Sequence, residues 1–507
     1  MILLDISTSY QFRHWKPMGI LRVEREVIKG FTQHLGDDVA MGIYDPGTRA
    51  YYRIPEEIFE EIVFQNGIQP KPPERALTAR SRWRSWMRVA RFLRNARARS
   101  RAVPGVGDKT HRAREEVIAE ELLRLSLEEY GMMTGVLKKV SFLVPHLSGR
   151  IQQFDDINHR AHFGILRTVH DQICIEENRI EMATIRHYVS VGGFWSDDRY
   201  RFASEMRRDH GWTMHYLIYD LIPILWGHVA EPTTRKTFPL ALHWVLWGVD
   251  QVWTISETTK RDLLRHIKEN GYPAMDPDWV KPIYLGSEVQ QSDLTDEEEQ
   301  ALFARYDLEP GRFVMMVGTQ EPRKNQDFAY RLWRELNIRH PGKVMPLVWV
   351  GQPGWAIEPL LEMVCNDNGL PHQAIRTLSD ISDNELVSLY RSCRYTIYPS
   401  HYEGWGLPVV ESLSHGKPCL TSDAPSLIEA GAGASEVIGL FEGEKWLARC
   451  FELMQDETAY RAALDRVARF EGYSWDEFRE TLCADFQDFL AQSPKRATSG
   501  TLMEASA

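Results

Sequence analysis

The sequence predicts an α/β chain of two doubly wound parallel-sheet domains, and three observations lead there. First, short and almost unbroken apolar runs alternate with helix-like segments, which is how strands buried on both faces of a parallel sheet read. Second, this alternation occurs twice, on either side of the acidic, polar stretch GSEVQQSDLTDEEEQALFARYDLEPG at 286–311, a linker with a short helix. Third, 507 residues are too many for one domain of about 150 and suit two or three.

The elements follow in order. MILLDIS opens with a strand, Gly19 turns the chain, and Ile20–Leu35 is an amphipathic helix before the strand VAMGIY (Val39–Tyr44). Residues 70–115 break the pattern and read as an insertion on the first domain. VSFLV, RHYVSVGG, MHYLIYDLI and DQVWTIS complete the first array. The second runs RFVMMVG, a helix from Asn325 to His340, PLVWVG, another helix, YTIYPS, a helix opening at Pro408, and KPCLTS. Helix-like segments near 442–470 and 475–490 precede a small polar tail. The implied division is a first domain over 1–290, a second over 291–475, a helix over 476–492 and a disordered tail over 493–507.

Composition removes several classes. Hydrophobic content of 43 % with 26 % charged residues is globular rather than fibrous or disordered. Six scattered cysteines without a CxxC pair read as reduced thiols of a cytosolic protein. The amino terminus lacks a basic region, so no signal peptide is expected, and no apolar run is long enough to span a membrane.

Two segments carry chemistry. In HYEGWGLPVVESLSHGKP, Glu403 and Glu411 flank a strand–glycine loop–helix junction. Gly404 and Gly406 permit a tight turn and close approach to a ligand. Pro408 suits the first helical turn, whose amides can face an anion. Carboxylates on either side of the junction can accept from hydroxyl pairs at two ends of an extended ligand such as a sugar or ribose. The alternative is a plain turn with a solvated Glu411. In VMMVGTQEPRKNQDF a strand ends at Gly318, and the loop carries Arg323 and Lys324 before Asn325, a candidate N-cap. Adjacent Arg and Lys at a strand's carboxyl end can neutralise a diphosphate, the Arg bidentately. Neither Asp155-Asp156 nor Asp197-Asp198, in the first half, offers a metal site, and none is expected.

These segments resemble the retaining GT-B glycosyltransferases of family 4. EGWGLPVVE looks like their E-x7-E signature and VGTQEPRKN like their phosphate loop. The likeness extends to GGFW near Gly192, YLIYDLIPI at Tyr216–Ile224, VWTISETTKRDLL at Val252–Leu264 and YSWDEF before the last helix. The resemblance implies GT-B architecture, two Rossmann-like domains facing across a cleft, with a nucleotide-sugar donor as substrate and no cofactor. It implies catalytic roles for Glu403, Lys324 and Arg323, the cations holding the donor diphosphate and the glutamate facing the transferred sugar. Glu411 would bind the ribose, while Gly318, Gly404 and the amides around Gly406 and Leu407 would line the donor. The loop with Gly19 would lie beneath the diphosphate. Many relatives carry His-Asp where this chain has Tyr219-Asp220, which leaves Tyr219 or His170 of TVHD to position sugar or phosphate.

Charge adds a second theme. A net −11 argues against a general polyanion binder, and no nucleic-acid partner is expected. Yet Arg75–Arg101 holds ten Arg and no acid, leaving −21 for the remainder. Trp83, Trp86, Met87, Ala90 and Leu93 follow helical spacing there, the pattern of a basic amphipathic helix that meets an anionic membrane surface. Docking on the acidic body and a disordered loop are the other readings. The expected activity is retaining, metal-independent transfer of a hexose, GDP-linked by family habit, to a glycan or lipid-linked acceptor in cell-surface polysaccharide synthesis. The expected location is cytoplasmic, peripheral at the inner face of the plasma membrane. A phosphorylase or epimerase in the same fold, or a silent scaffold binding membrane or partner, are the alternatives.

Overall fold

Apolar runs in this chain become strands that bury both faces. The computed structural model describes residues 1–12, 19–56, 59–60, 173–287, 292–371, 373–379 and 381–492. Its strands are β1 (Ile2–Asp5), β2 (Val39–Asp45), β3 (Ala50–Arg53), β4 (His187–Ser190), β5 (Thr213–Ile218), β6 (Gln251–Thr254), β7 (Val280–Pro282), β8 (Val314–Val317), β9 (Leu347–Val350), β10 (Ile375–Leu378), β11 (Tyr395–Tyr398), β12 (Cys419–Thr421) and β13 (Glu436–Val437). They fall in two compact units, the larger drawn from Met1–Tyr10, Pro17–Arg49 and Glu181–Ala507, the smaller from Gln11–Lys16 and Ala50–Ile180. In the smaller unit, Tyr52 of β3 bridges antiparallel to Arg179, and the Ile180 amide donates to the Tyr51 carbonyl at 2.9 Å.

The larger unit contains two parallel sheets. In the first the order is β2-β1-β4-β5-β6-β7, with Ile2 opposite both Val39 and His187. In the second it is β10-β9-β8-β11-β12-β13. Each order reverses once, at β1/β4 and at β8/β11, and ligands of doubly wound sheets bind outside the strand ends at such reversals. Two such sheets in one chain form the GT-B architecture.

Alternation along β8 shows why these strands are apolar throughout. Val314 and Met316 enter one core with Trp333, Trp349 and Trp446, while Met315 and Val317 enter another with Phe313, Tyr390 and Leu413. The helix Ile20–Leu35 buries Val23, Val27, Ile28 and Phe31, one stripe of a 3.6-residue repeat. The linker contains the helix Asp296–Arg305, opened by a capping box of Thr295 and Glu298. The last helix, Trp475–Gln492, returns to the first sheet. Phe486 packs 5.4 Å from Phe31, and the Asp485 carboxylate accepts from Gln251 (2.6 Å) and from the Trp253 indole (2.8 Å).

The insertion at 70–115 with its Arg75–Arg101 stripe, VSFLV, Asp155-Asp156, His170 and the tail over 493–507 lie outside the described residues. No helix among the described residues is long and apolar enough to cross a membrane.

Candidate functional site

The second sheet's reversal brings the two chemically marked segments together. β8 ends at Gly318, whose φ of +137° is a conformation that side-chain-bearing residues rarely adopt. Lys324 folds back over this glycine, since a Cβ at 318 would sit 3.1 Å from Lys324 Cε. Between them runs the short turn Pro322–Lys324, followed by Asn325 and the helix Gln326–Arg339. Asn325 occupies the N-cap position but does not cap through its side chain. It adopts φ +64°, and its Nδ2 donates to the Pro399 carbonyl (3.0 Å), tying the loop after β8 to the end of β11. A second strap is the His401 amide on the Arg323 carbonyl, 2.9 Å.

Glu403 is the centre of the cluster. Only 7 % exposed, its carboxylate accepts from the Arg323 guanidinium and from Lys324 Nζ at 2.8 Å. Burial by itself would raise its pKa, but the two cations outweigh burial and hold it at about 2. Arg323 also donates to the Tyr402 carbonyl (3.1 Å) and pairs with the buried Glu321. For Glu321 the balance is reversed: burial prevails over Arg323 and Lys324, and the pKa is raised. Burial likewise raises Asp220, against the pull of Arg323.

The loop after β11 rests on the first sheet. A Cβ on Gly404 would lie 2.4 Å from the Tyr219 carbonyl oxygen, so only glycine allows the approach. The Gly404 carbonyl accepts from Ser256 Oγ (2.7 Å) and Thr259 Oγ1 (3.3 Å), just beyond β6. Tyr219 therefore meets the loop through its backbone; its hydroxyl donates to the Val191 carbonyl at 2.6 Å. Asp220 accepts from the Ile222 amide at 2.9 Å. Gly406 is extended and makes room for Leu427, whose Cδ2 would be 2.9 Å from a Cβ there. Leu407 then opens the helix Leu407–Ser414 with Pro408 behind it.

Glu411, one turn into that helix, accepts from the Tyr390 hydroxyl at 3.0 Å and faces Arg22 Nη1 at 3.5 Å. Arg22 stands in the first turn of Ile20–Leu35, and its guanidinium lies 5.1 Å from the Trp475 ring centroid. Gly19 precedes that turn with φ +54°; nothing would crowd a Cβ there, so the backbone alone calls for glycine. Thus Arg323, Lys324, Glu403, Gly318, Gly404 and Asp220 are assembled at one reversal, with Gly406 and Leu407 continuing into the helix that carries Glu411.

The sequence signals singled out neither Glu321, which lies within VGTQEPRKN, nor Arg22, which lies in the helix Ile20–Leu35. They also missed Glu24, which is buried at the first sheet's reversal. Its carboxyl accepts from the Ser9 amide, and a Cβ at Gly192 would come within 2.5 Å of Glu24 Oε1. Burial above all, with the Asp5 charge added, raises the Glu24 pKa to about 8. Asp197 pairs with Arg199, which in turn pairs with Asp5 at 3.2 Å, and Asp198 accepts from the Tyr44 hydroxyl at 3.1 Å.

Comparison with known proteins adds the following. Residues 299–436 match the family model described as glycosyl transferases group 1. The O-antigen chain mannosyltransferase B of Escherichia coli is 29 % identical over 241 residues, covering 46 % of this chain and 60 % of that protein. A serotype-specific mannosyltransferase WbdA of Escherichia coli is 30 % identical over 244 residues, covering 45 % of this chain and 28 % of that protein. The chain spans less than two thirds of the length of either relative. Among solved structures, WaaG, a glycosyltransferase involved in lipopolysaccharide biosynthesis, aligns with a TM-score of 0.45 at 12 % identity, over 59 % of this chain and 90 % of that one. Residues 299–436, which hold the Arg323–Lys324 loop and both glutamates, are thus the part of the chain that is similar to the glycosyl transferases group 1 family.

Proposed function

We propose that this protein transfers a hexose from a nucleoside-diphosphate sugar to a glycan or lipid-linked acceptor in cell-surface polysaccharide synthesis, with retention at the anomeric carbon and without a metal ion. The observation that carries the reading is the buried cluster of Arg323, Lys324 and Glu403 at the β8/β11 reversal. Two cations fixed at a strand end, one with a planar guanidinium, suit a diphosphate. A nucleoside diphosphate leaves readily once its charge is neutralised, so cations placed where charge develops lower the barrier with no strong acid required. Glu403, held at about 2, is ionised at neutral pH and is no proton donor. Its role is to keep Arg323 and Lys324 in place and to accept from sugar hydroxyls. The acceptor proton then passes to the leaving phosphate oxygen as the acceptor attacks the same face of the sugar. Glu411 takes the ribose hydroxyls beside Tyr390 and Arg22.

The Escherichia coli mannosyltransferases among the relatives favour mannose as the hexose, and the GDP-linked donor is carried over from the family resemblance alone. The protein would work on the cytoplasmic side, where such donors are available, at or near the membrane that carries the acceptor. The test is to incubate the purified full-length chain with a panel of nucleotide sugars and lipid-linked oligosaccharides and to follow nucleoside diphosphate. Release from one donor that depends on acceptor is expected; a panel with no turnover refutes the transferase reading.

A further inference from the structure

The helix Thr234–Leu246 is apolar on more sides than its neighbours cover. Phe238, Ala241, Leu242, Val245 and Leu246 form its buried side. On the opposite side Leu240 is 45 % exposed, Trp244 38 % and Trp247, just past the last turn, 59 %. Spacings of four and three residues put these three on one stripe, about 10 Å long at 1.5 Å per residue. A helix that is apolar all round is ordinarily buried, and this one presents its outer stripe to solvent. Its sequence, TRKTFPLALHWVLW, contains no acidic residue.

The rim of the stripe is cationic. Arg235 and Lys236 are exposed at the helix's amino end, Lys236 one turn before Leu240. Arg201, exposed on the neighbouring helix Arg199–His210, lies 5.6 Å from the Trp244 ring centroid. The acids of that neighbouring helix are engaged, Glu205 with Arg49 and Asp209 with Arg208. At the far end Trp247 is braced by Tyr272 and His243, at 6.2 and 6.3 Å between ring centroids.

We propose that this stripe is a membrane-contact surface, inserting Leu240, Trp244 and Trp247 among the headgroups of an anionic bilayer while Arg201, Arg235 and Lys236 meet lipid phosphates. Indole rings with an apolar body and one N–H suit the water–lipid boundary, and cations around an apolar stripe are the signature of an interfacial helix. A second copy of the chain fits less well, because a two-fold contact would set the patch against itself and bring the same cations face to face. The inference stands whether or not the transfer reaction is as proposed, and it is separate from any contribution of Arg75–Arg101.

The test is co-sedimentation of the full-length protein with unilamellar vesicles of phosphatidylcholine alone or mixed with phosphatidylglycerol, with the oligomeric state followed by light scattering. Wild type should bind the anionic vesicles, and Trp244→Ala/Trp247→Ala should weaken that binding at least about tenfold, the scale of losing one to two kcal/mol of apolar burial. Lys236→Glu, a surface change that does not touch the core, should weaken it as well and leave the remaining binding less sensitive to added salt. Deleting 75–101 should leave the effect of the tryptophan pair in place. Wild type that ignores anionic vesicles, or tryptophan variants with a wild-type melting curve that bind undiminished, would overturn the proposal. So would a self-association that disappears in Trp247→Ser, which would assign the stripe to a second copy.

Discussion

At the scale of single residues, what distinguishes the site is how unlike its carboxyls are. Glu403 is held low by two cations against the effect of burial, while Glu321, Asp220 and Glu24 are held high by it. Glu403→Gln removes the charge that anchors Arg323 and Lys324, and turnover should fall by about 10²-fold or more, the size of losing one preorganised electrostatic partner. Steady-state kinetics on the assigned donor checks this, with a melting curve to establish that the variant folds. Glu24 gives a prediction with a definite sign. Its folded pKa of about 8 stands above the 4.5 of the exposed group. Its contribution to stability is therefore complete below pH 4.5 and lost as pH rises through about 8. Glu24→Gln does not ionise, so melting temperatures taken from pH 5 to pH 8.5 should show the variant gaining steadily on wild type. A constant difference across that range would contradict the assignment.

At the scale of elements, the sequence makes central strands easy to read and edges hard. β8, β9 and β11 are buried along their whole length and stand out as VMMV, LVWV and YTIY. β7, β10 and β13 lie at the sheet edges, where partly exposed residues such as Ile375, Arg376 and Thr377 of β10 dilute the apolar signal, and none was singled out as a strand. Asn325 illustrates another limit. Its position before the helix was legible, but its use as a strap to Pro399 depends on β11, some seventy residues later. The loops were legible through their glycines, yet the reason for Gly404 is a neighbour from the other sheet. Gly404→Ala places a Cβ 2.4 Å from the Tyr219 carbonyl, and the resulting shift should cost about 1–3 kcal/mol, seen as a lowered midpoint in urea unfolding. Gly19→Ala meets no atom and should lose only the smaller amount due to its positive φ.

At the scale of the whole molecule, two sheets with one reversal each place the chemistry at the β8/β11 ends, and the last helix returns across to the first sheet through Phe486 and Asp485. The repeated strand–helix alternation and the paired motifs made this much readable from the sequence. Contacts between the sheets, such as Arg22 with Glu411 or Ser256 with Gly404, were not, because partners hundreds of residues apart leave no local pattern. Arg22→Ala should leave the fold intact and raise the donor KM, since Glu411 would lose the cation beside it; an unchanged KM would separate Arg22 from the donor site. The central claim is that Arg323 and Lys324 stabilise the departing diphosphate. The most direct measurement is single-turnover release of nucleoside diphosphate by wild type and by Lys324→Ala at saturating donor and acceptor. The account predicts a rate about 10²-fold lower in the variant. Equal rates, with donor bound by both proteins, would contradict it.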